Sequence, residues 1–260
     1  MSRAAQTRTR TFFPTAINAF RQCPERYYLK YIRKRKRPMP FSRPLITGSA
    51  AHRLVAEVLP DFMQTGEIPV DIAPRALREV STTEYPADEL SYRDQDAASV
   101  AACTTAALDM IPAGSSSLLQ ERNLYAPLGR SGVQVGARID LVLRRDNGDI
   151  EHIDFKTGKI RDDAIQNLIA RAVVGRKFGI QQRIRTTTLY LQHRHTQSTI
   201  LDRRTGRRDW KAIARDIRDI RSLDDFPPRP GPLCDYCPYQ ARDCTAWLAT
   251  EGSQREEADL

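Results

Sequence analysis

The stretch Val135–Lys159, VGARIDLVLRRDNGDIEHIDFKTGK, constrains the fold of this chain more than any other. Val135–Leu143 is dense in β-branched and aliphatic residues, Asn147-Gly148 suits a type I′ turn, and Ile150–Lys156 resumes the strand pattern. The pattern predicts a two-stranded hairpin. Residues i and i+2 of a strand share a face, so Asp154 and Lys156 project together, with Asp140 across the hairpin as their neighbour. Two carboxylates and an ammonium on one face of a sheet are costly to bury without a purpose, and a divalent metal with a phosphate substrate supplies one. Hard oxygen donors suit Mg2+ or Mn2+. On this reading Asp140 and Asp154 are the ligands and the carbonyl of Phe155 is a further oxygen. Lys156 orients or helps to deprotonate a water, or neutralises charge developing on the phosphate.

The 260 residues suffice for one large domain or a domain with a helical appendage. An apolar content of 40% with 28% charged residues describes a soluble globular chain, and no apolar run approaches the ~18 residues of a membrane span. The start, MSRAAQTRTRTFF, lacks a secretory apolar region, so a cytoplasmic location without a membrane partner is expected. Forty-one Lys and Arg against 32 Asp and Glu leave a net charge of +9. That excess favours a polyanionic partner, and its richness in arginine suits bidentate phosphate contacts.

Residues 1–13 read as a disordered start and 251–260 as a disordered acidic tail. Between them the expectation is one domain, 14–250, mainly helical over 14–117, a sheet core over 118–202, and a C-terminal helix with a cysteine segment over 203–250. Pro14-Thr15 opens a first helix with Thr15 as its cap, and a second, ERYYLKYI, follows Pro24. The run Arg33–Arg37 is either a solvated charge cluster or a phosphate-contacting strip beside tyrosines. A helix from Gly48 turns Leu54, Val55, Val58 and Leu59 inward and carries His52, which by itself reads as a structural histidine. Asp96–Ile111 places Cys103 on an apolar face, as a small buried hydrophobe. Leu118–Leu128, Ile184–Gln192 and Ser198–Asp202 read as further strands, Asp162–Phe178 as a helix carrying Gln166, Arg203–Arg208 as a basic turn or flap, and Trp210–Ile220 as a last helix. His193 and His195 alternate along a strand and read as surface residues. Four prolines between Pro227 and Pro232 make a stiff arm leading to Cys234.

Disulfides are a poor default for an intracellular chain, and clustered cysteines more often serve metals or redox chemistry. Cys234, Cys237 and Cys244 give a C-x2-C-x6-C run, three thiolates that need a fourth, and Cys23, also near a proline, is the candidate. Spacing leaves Zn2+ and an iron–sulfur centre both open.

Gly136-Ala137-Arg138-Ile139-Asp140 followed by Ile153-Asp154-Phe155-Lys156-Thr157-Gly158-Lys159 resembles the active-site motif of the PD-(D/E)xK nuclease superfamily in its RecB-like branch. Gly48 to His52 is similar to that branch's helical G-x-x-x-H motif, Gln166 to the glutamine of the helix after the active-site motif, and TAINAFRQCPERYYLKY to its N-terminal segment. Thr15 stands where serine is usual, Ile139 replaces the proline of the motif's name, and Ala170 stands where a tyrosine is usual. The resemblance spans residues 15 to 244. It implies a restriction-endonuclease-like α/β fold with a mixed sheet flanked by helices, and a DNA nuclease acting on single strands or DNA ends. It also implies His52 as a metal ligand with Asp140 and Asp154, and Gln166 as orienting substrate or Lys156. The cysteines resemble the one-plus-three set of AddB-type and CRISPR-associated exonucleases, which implies a [4Fe–4S] cluster on Cys23, Cys234, Cys237 and Cys244. Helicases or CRISPR adaptation proteins are the implied partners. Two other readings explain less: a DNA-binding adaptor that keeps the fold without catalysis, and a zinc-stapled structural protein that leaves the Asp154-Phe155-Lys156 motif idle.

Overall fold

A computed structural model of the chain describes residues 11–36, 41–129, 132–160, 164–179, 184–201 and 203–247. In chain order its elements are β1 (Thr11–Phe12), α1 (Pro14–Gln22), α2 (Pro24–Tyr27, continuing as one wider turn through Ile32), α3 (Arg43–Thr65), α4 (Ile72–Ser81) and α5 (Arg93–Met110). Then come β2 (Ser116–Pro127), β3 (Gln134–Arg144), β4 (Ile150–Lys156), α6 (Ala164–Phe178), β5 (Ile184–Tyr190), β6 (His195–Leu201), α7 (Arg203–Ser222) and α8 (Gln240–Asp243). The chain divides into two compact units, one made of 1–39, 125–136 and 208–260, the other of 40–124 and 137–207.

The second unit is built on the hairpin of β3 and β4. These strands pair antiparallel, Leu141 opposite Ile153 and Leu143 opposite Glu151, a register that sets Asp140 across from Asp154. β4 pairs in parallel with β5, Asp154 opposite Thr188, and α6 makes the crossover that parallel strands require. β6 adds antiparallel to β5, and β2 pairs with β3, completing a mixed sheet. Leu141, Leu143, Ile153, Phe155 and Leu189 face a core supplied by Leu54, Val55, Val58 and Leu59 of α3, Val80 of α4 and Val100, Cys103 and Ala107 of α5. The helical part thus packs as one layer on the sheet, as the 3.6-residue spacing of those apolar positions requires. A buried carboxylate, Asp96, is matched by bidentate hydrogen bonds from Arg43 at 2.8–3.2 Å and one from the Tyr85 hydroxyl at 2.9 Å.

The hairpin turn differs from the expected type I′. Gly148 N–H donates to the Arg145 carbonyl and Arg145 N–H to that of Asp149, so Asp146 and Asn147 are the central residues. Only Gly148 is left-handed, at φ 84°. This is a type I turn followed by a glycine bulge, and the Asn147 side chain accepts the Asp149 N–H at 3.0 Å to hold it.

In the first unit β1 pairs in parallel with the start of β3, Thr11 opposite Gln134 and Phe12 opposite Val135. Thr11 and Phe12 fell in the stretch expected to be disordered; strand pairing and burial of Phe12 order them. Helix α1 is preceded by Phe13 and has no side-chain cap; Thr15, the expected cap, lies inside it with its hydroxyl 3.4 Å from that of Tyr31. Gly136, the first residue of the G-x-x-x-D motif, is there for space: a Cβ would lie 2.9 Å from the Tyr125 ring and 3.0 Å from that of Phe13.

Other boundaries shift for local reasons. α3 starts at Arg43, upstream of Gly48, with a proline in its first turn, where a missing N–H costs nothing. Arg203–Arg208 opens α7 instead of forming a turn or flap: the buried spacing of Ile213, Ile217 and Ile220 anchors the helix downstream, and Gly206 lowers helix propensity in its first turns without ending it as a proline would. His193 closes a short 3-10 turn and only His195 is in a strand; both are exposed. The two outer tails, 1–10 and 248–260, and Arg37 of the basic run lie outside the described residues. No helix among the described residues is long and apolar enough to cross a membrane.

Candidate active site

The hairpin, α3, β2 and α6 bring the functional side chains of the second unit together. His52 projects from α3, and Gly48 one turn earlier lets the helix approach the motif: a Cβ there would lie 3.0 Å from Thr157 Oγ1. His52 Nε2 lies 3.0 Å from the Phe155 carbonyl oxygen. A carbonyl only accepts, so this nitrogen carries the proton and Nδ1 presents its lone pair on the other side. There Nδ1 meets Asp140 Oδ1 at 3.6 Å and Glu121 Oε1 at 3.8 Å. Asp140 is aimed by its second oxygen, which accepts the Phe155 N–H at 2.9 Å. Glu121 is aimed by Arg138, whose Nε and Nη2 donate to its Oε2 at 2.9 and 2.7 Å.

His52, Glu121 and Asp140 offer donor atoms that all lie within 4.8 Å of one another. A lone pair facing two carboxylate oxygens is repulsive unless a proton or a cation sits between them. The set of one imidazole and two carboxylates, each fixed by a hydrogen bond on its far side, fits a divalent cation. The protonation balance agrees. Burial drives Asp140 up to about 7 against the pull of His52, and the charge of Asp154 adds to the rise. Burial pulls His52 down, but the hydrogen bond to Glu121 and the charges of Asp140, Glu121 and Asp154 leave it raised. Glu121 is pushed up by burial, yet His52 and Arg138 together hold it below the usual carboxylate range.

Beside this set lies a second one. Asp154, 3% exposed, keeps Oδ2 at 3.0 Å from Lys156 Nζ and accepts the Gln166 amide N–H on Oδ1 at 2.6 Å. Gln166 Oε1 in turn accepts from Lys156 Nζ at 3.1 Å. The amide orientation is forced, since a carboxylate only accepts and an ammonium only donates. Gln166 therefore ties the two motif charges into a triangle that fixes both. His52, Asp140, Phe155 and Lys156 line one cavity of about 660 Å3, with Arg138 and Lys159 at its wall.

Of the residues expected at the site, the structure groups His52 and Asp140 as donors and gives the third place to Glu121. Asp154 turns to Lys156 and Gln166, and the Phe155 carbonyl faces His52. Glu121 and Arg138 were passed over in the sequence. Arg138 had a signal, because it stands two residues before Asp140 and so shares its side of the strand. Glu121 had none: it lies in a separate strand, in left-handed backbone at φ 45°, and no spacing rule links it to the hairpin.

The cysteines belong to the first unit. Cys23 caps α2, Cys234 and Cys237 bound a 3-10 turn, and Cys244 follows α8; all four line a cavity of about 540 Å3. The Arg229 and Gly231 amides point at Cys23 Sγ and Cys234 Sγ, each at 3.3 Å. Among the described residues these sulfurs do not form a group at the 4.8 Å spacing of a single ion. Cys103 is buried apart from them in the helical core, and burial raises its thiol pKa to about 11. The described part of the basic run is exposed, with two of its arginines held by neighbours: Arg33 donates to the Tyr28 hydroxyl at 2.7 Å, and Arg35 lies 3.7 Å from Asp243.

Among solved structures the chain is similar to a candidate exonuclease of Eubacterium rectale, at 12% identity over 91% of this chain and 89% of that one, with a TM-score of 0.44. It is also similar to SSO0001, at 17% identity over 76% of this chain and 97% of that one, with a TM-score of 0.33. No curated protein matches it. A family model described as the PD-(D/E)XK nuclease superfamily matches residues 11–242, a span that holds the His52–Glu121–Asp140 set and the Asp154–Gln166–Lys156 triangle, and the chain belongs to that superfamily.

Proposed function

We propose that the protein is a Mg2+- or Mn2+-dependent deoxyribonuclease of the RecB-like branch, an exonuclease acting on single strands or DNA ends, with residues 14–250 working as one nuclease domain. The observation that carries this reading is the meeting, beside one cavity, of an aimed His52–Glu121–Asp140 donor set and a Lys156 held by Asp154 and Gln166. The metal would be held by His52 and Asp140, with Glu121, Asp154 or the Phe155 carbonyl completing the shell. When bound it would supply Lewis acidity to the scissile phosphate and acidify a water. Lys156 orients that water and offsets charge on the phosphate; Gln166 keeps its ammonium on the cavity side; Arg138 holds Glu121 in place. Basic residues at Arg33–Arg37 and at the start of α7 guide the DNA backbone.

The four cysteines hold a [4Fe–4S] cluster that staples the N- and C-terminal segments of the first unit. Support comes from their common cavity and from amide donors aimed at two of the sulfurs. The reading places the protein in the cytoplasm, serving a helicase or CRISPR adaptation proteins.

End-labelled single- and double-stranded DNA, incubated with varied divalent metals, tests the catalytic part. Asp154→Ala and Lys156→Ala abolish cleavage while DNA binding is largely kept; cleavage that survives both changes ends the assignment. DNA binding without cleavage by the unsubstituted chain selects the adaptor reading. Anaerobically purified protein is expected to be brown, with broad absorbance near ~400 nm. Colourless protein with stoichiometric zinc replaces the cluster by a zinc staple.

A further inference from the structure

Helix α7 carries its charge well past its basic start. Arg208, Lys211, Arg215 and Arg218 recur at i, i+3, i+7 and i+10, and all four are exposed. At 3.6 residues per turn they fall within about 80° of the helix circumference. Ile213, Ile217 and Ile220 are buried on the opposite side. Asp216 lies away from the stripe and is matched by Arg21 of α1 at 2.6 Å, while Asp219 stands at its edge. Among the described residues, Lys211, Arg215 and Arg218 have no acidic partner.

Such an arrangement is unfavourable in isolation. Like charges at i, i+3 and i, i+4 repel one another, and the stripe contains three such pairs in succession, against which Asp219 stands at i+4 from Arg215. A polyanion along the helix offsets all three by attracting each cation. The stripe spans about 15 Å, at 1.5 Å per residue. Along the axis of a duplex each strand carries a phosphate about every 3.4 Å, so four charges over this length match about four phosphates of axial rise. An anionic membrane is a poorer fit, because a helix that binds in the interface inserts its apolar face, and here that face is buried in the protein.

We infer that the exposed face of α7 is a phosphate-tracking surface for nucleic acid, on which Arg208, Lys211, Arg215 and Arg218 contact successive phosphates without reading bases. It rests on the nuclease reading only for the identity of the strand, as DNA.

The test uses the full chain carrying Asp154→Ala, so that DNA is bound and not cut, with fluorescence anisotropy on labelled single- and double-stranded oligonucleotides at several salt concentrations. Changing all four residues to Gln flattens the slope of log Kobs against log salt by about 3, near ~0.7 per phosphate contact for single strands and ~0.9 for duplex. The pairs Arg208→Gln/Lys211→Gln and Arg215→Gln/Arg218→Gln, made separately, each give about half of that. Arg78→Gln, on α4 and paired with Glu57, serves as the control and leaves the slope unchanged. An unchanged slope in the fourfold variant, with a normal circular dichroism melt, overturns the inference. So does binding to vesicles of phosphatidylserine and phosphatidylcholine that the fourfold change abolishes while DNA binding persists. Failure of the unsubstituted chain to cleave DNA ends the nuclease reading but leaves the slope measurement, and this surface, standing on their own.

Discussion

Replacing Gln166 by glutamate keeps the length and shape of the side chain but sets a carboxyl against Asp154, where the amide N–H now donates at 2.6 Å. Two carboxylates with charge centres about 4 Å apart repel by about 4 kcal/mol at an effective dielectric constant of ~20. That corresponds to about three pKa units; the Lys156 ammonium, 3.1 Å from the other oxygen, opposes the rise, so the introduced carboxyl lies above its usual ~4.3 by less than that, and at most near ~7. Below that pH the pair holds one shared proton, and the O–H replaces the lost N–H donor to Asp154. Above it the proton leaves, Asp154 loses its donor, and Lys156 is drawn to the new charge. The folded-state pKa is raised, so the benefit of the protonated form is present at low pH and lost as pH rises. The ratio of variant to wild-type kcat/KM, measured at saturating Mg2+ from about pH 5 to about pH 9, should therefore be highest at the acid end and fall as pH rises, with its midpoint no higher than ~7. Gln166→Leu, which removes both hydrogen bonds without adding a titrating group, should show a flat ratio. Its loss should be about 10- to 100-fold, from the ~1.5–3 kcal/mol of a hydrogen bond to a charged group. A flat ratio for Gln166→Glu as well would refute the view that Gln166 works by bridging Asp154 and Lys156.

Glu121→Gln should weaken Mn2+ binding about 10-fold or more in isothermal titration, because it removes one of the charges aimed at the His52–Asp140 pair; an unchanged Kd would place Glu121 outside the metal's reach. Gly136→Ala should destabilise the protein by about 1–3 kcal/mol through overpacking against Tyr125 and Phe13, lowering Tm by a few degrees; a rise in Tm would contradict the contact. Cys103, with its thiol raised to about 11 by burial, should react slowly with thiol reagents at pH 8, and Cys103→Ala should leave metal content unchanged. Loss of bound metal in that variant would place Cys103 among the cluster's ligands.

Much of the hairpin was legible because it obeys local rules. Strand alternation places Asp154 beside Lys156, and the apolar periods of α3 and α5 reveal which faces are buried, without knowledge of what they meet. The turn was misjudged by one residue, since Asn147-Gly148 satisfies a type I′ turn and a glycine bulge equally well and only the hydrogen bonds of Arg145 decide between them. The basic stretch at Arg203 read as a turn because its charges hide the apolar period that begins at Ile213. Its helical form is what turns scattered arginines into a stripe.

The residue types alone display the chemistry on offer: two acids and a lysine on facing strands, a histidine on an earlier helix, a glutamine on a later one, and four thiols in the N- and C-terminal segments. Tertiary structure decided which of these groups meet. It brought Glu121 from the paired strand β2 to His52 and Asp140, and it turned Asp154 toward Gln166 and Lys156. The reason is physical. A residue's type and its strand or helix period are local properties, encoded within a few positions. The few ångströms between Nδ1 of His52 and two carboxylates depend on how a helix and three strands pack, and no local pattern carries that distance.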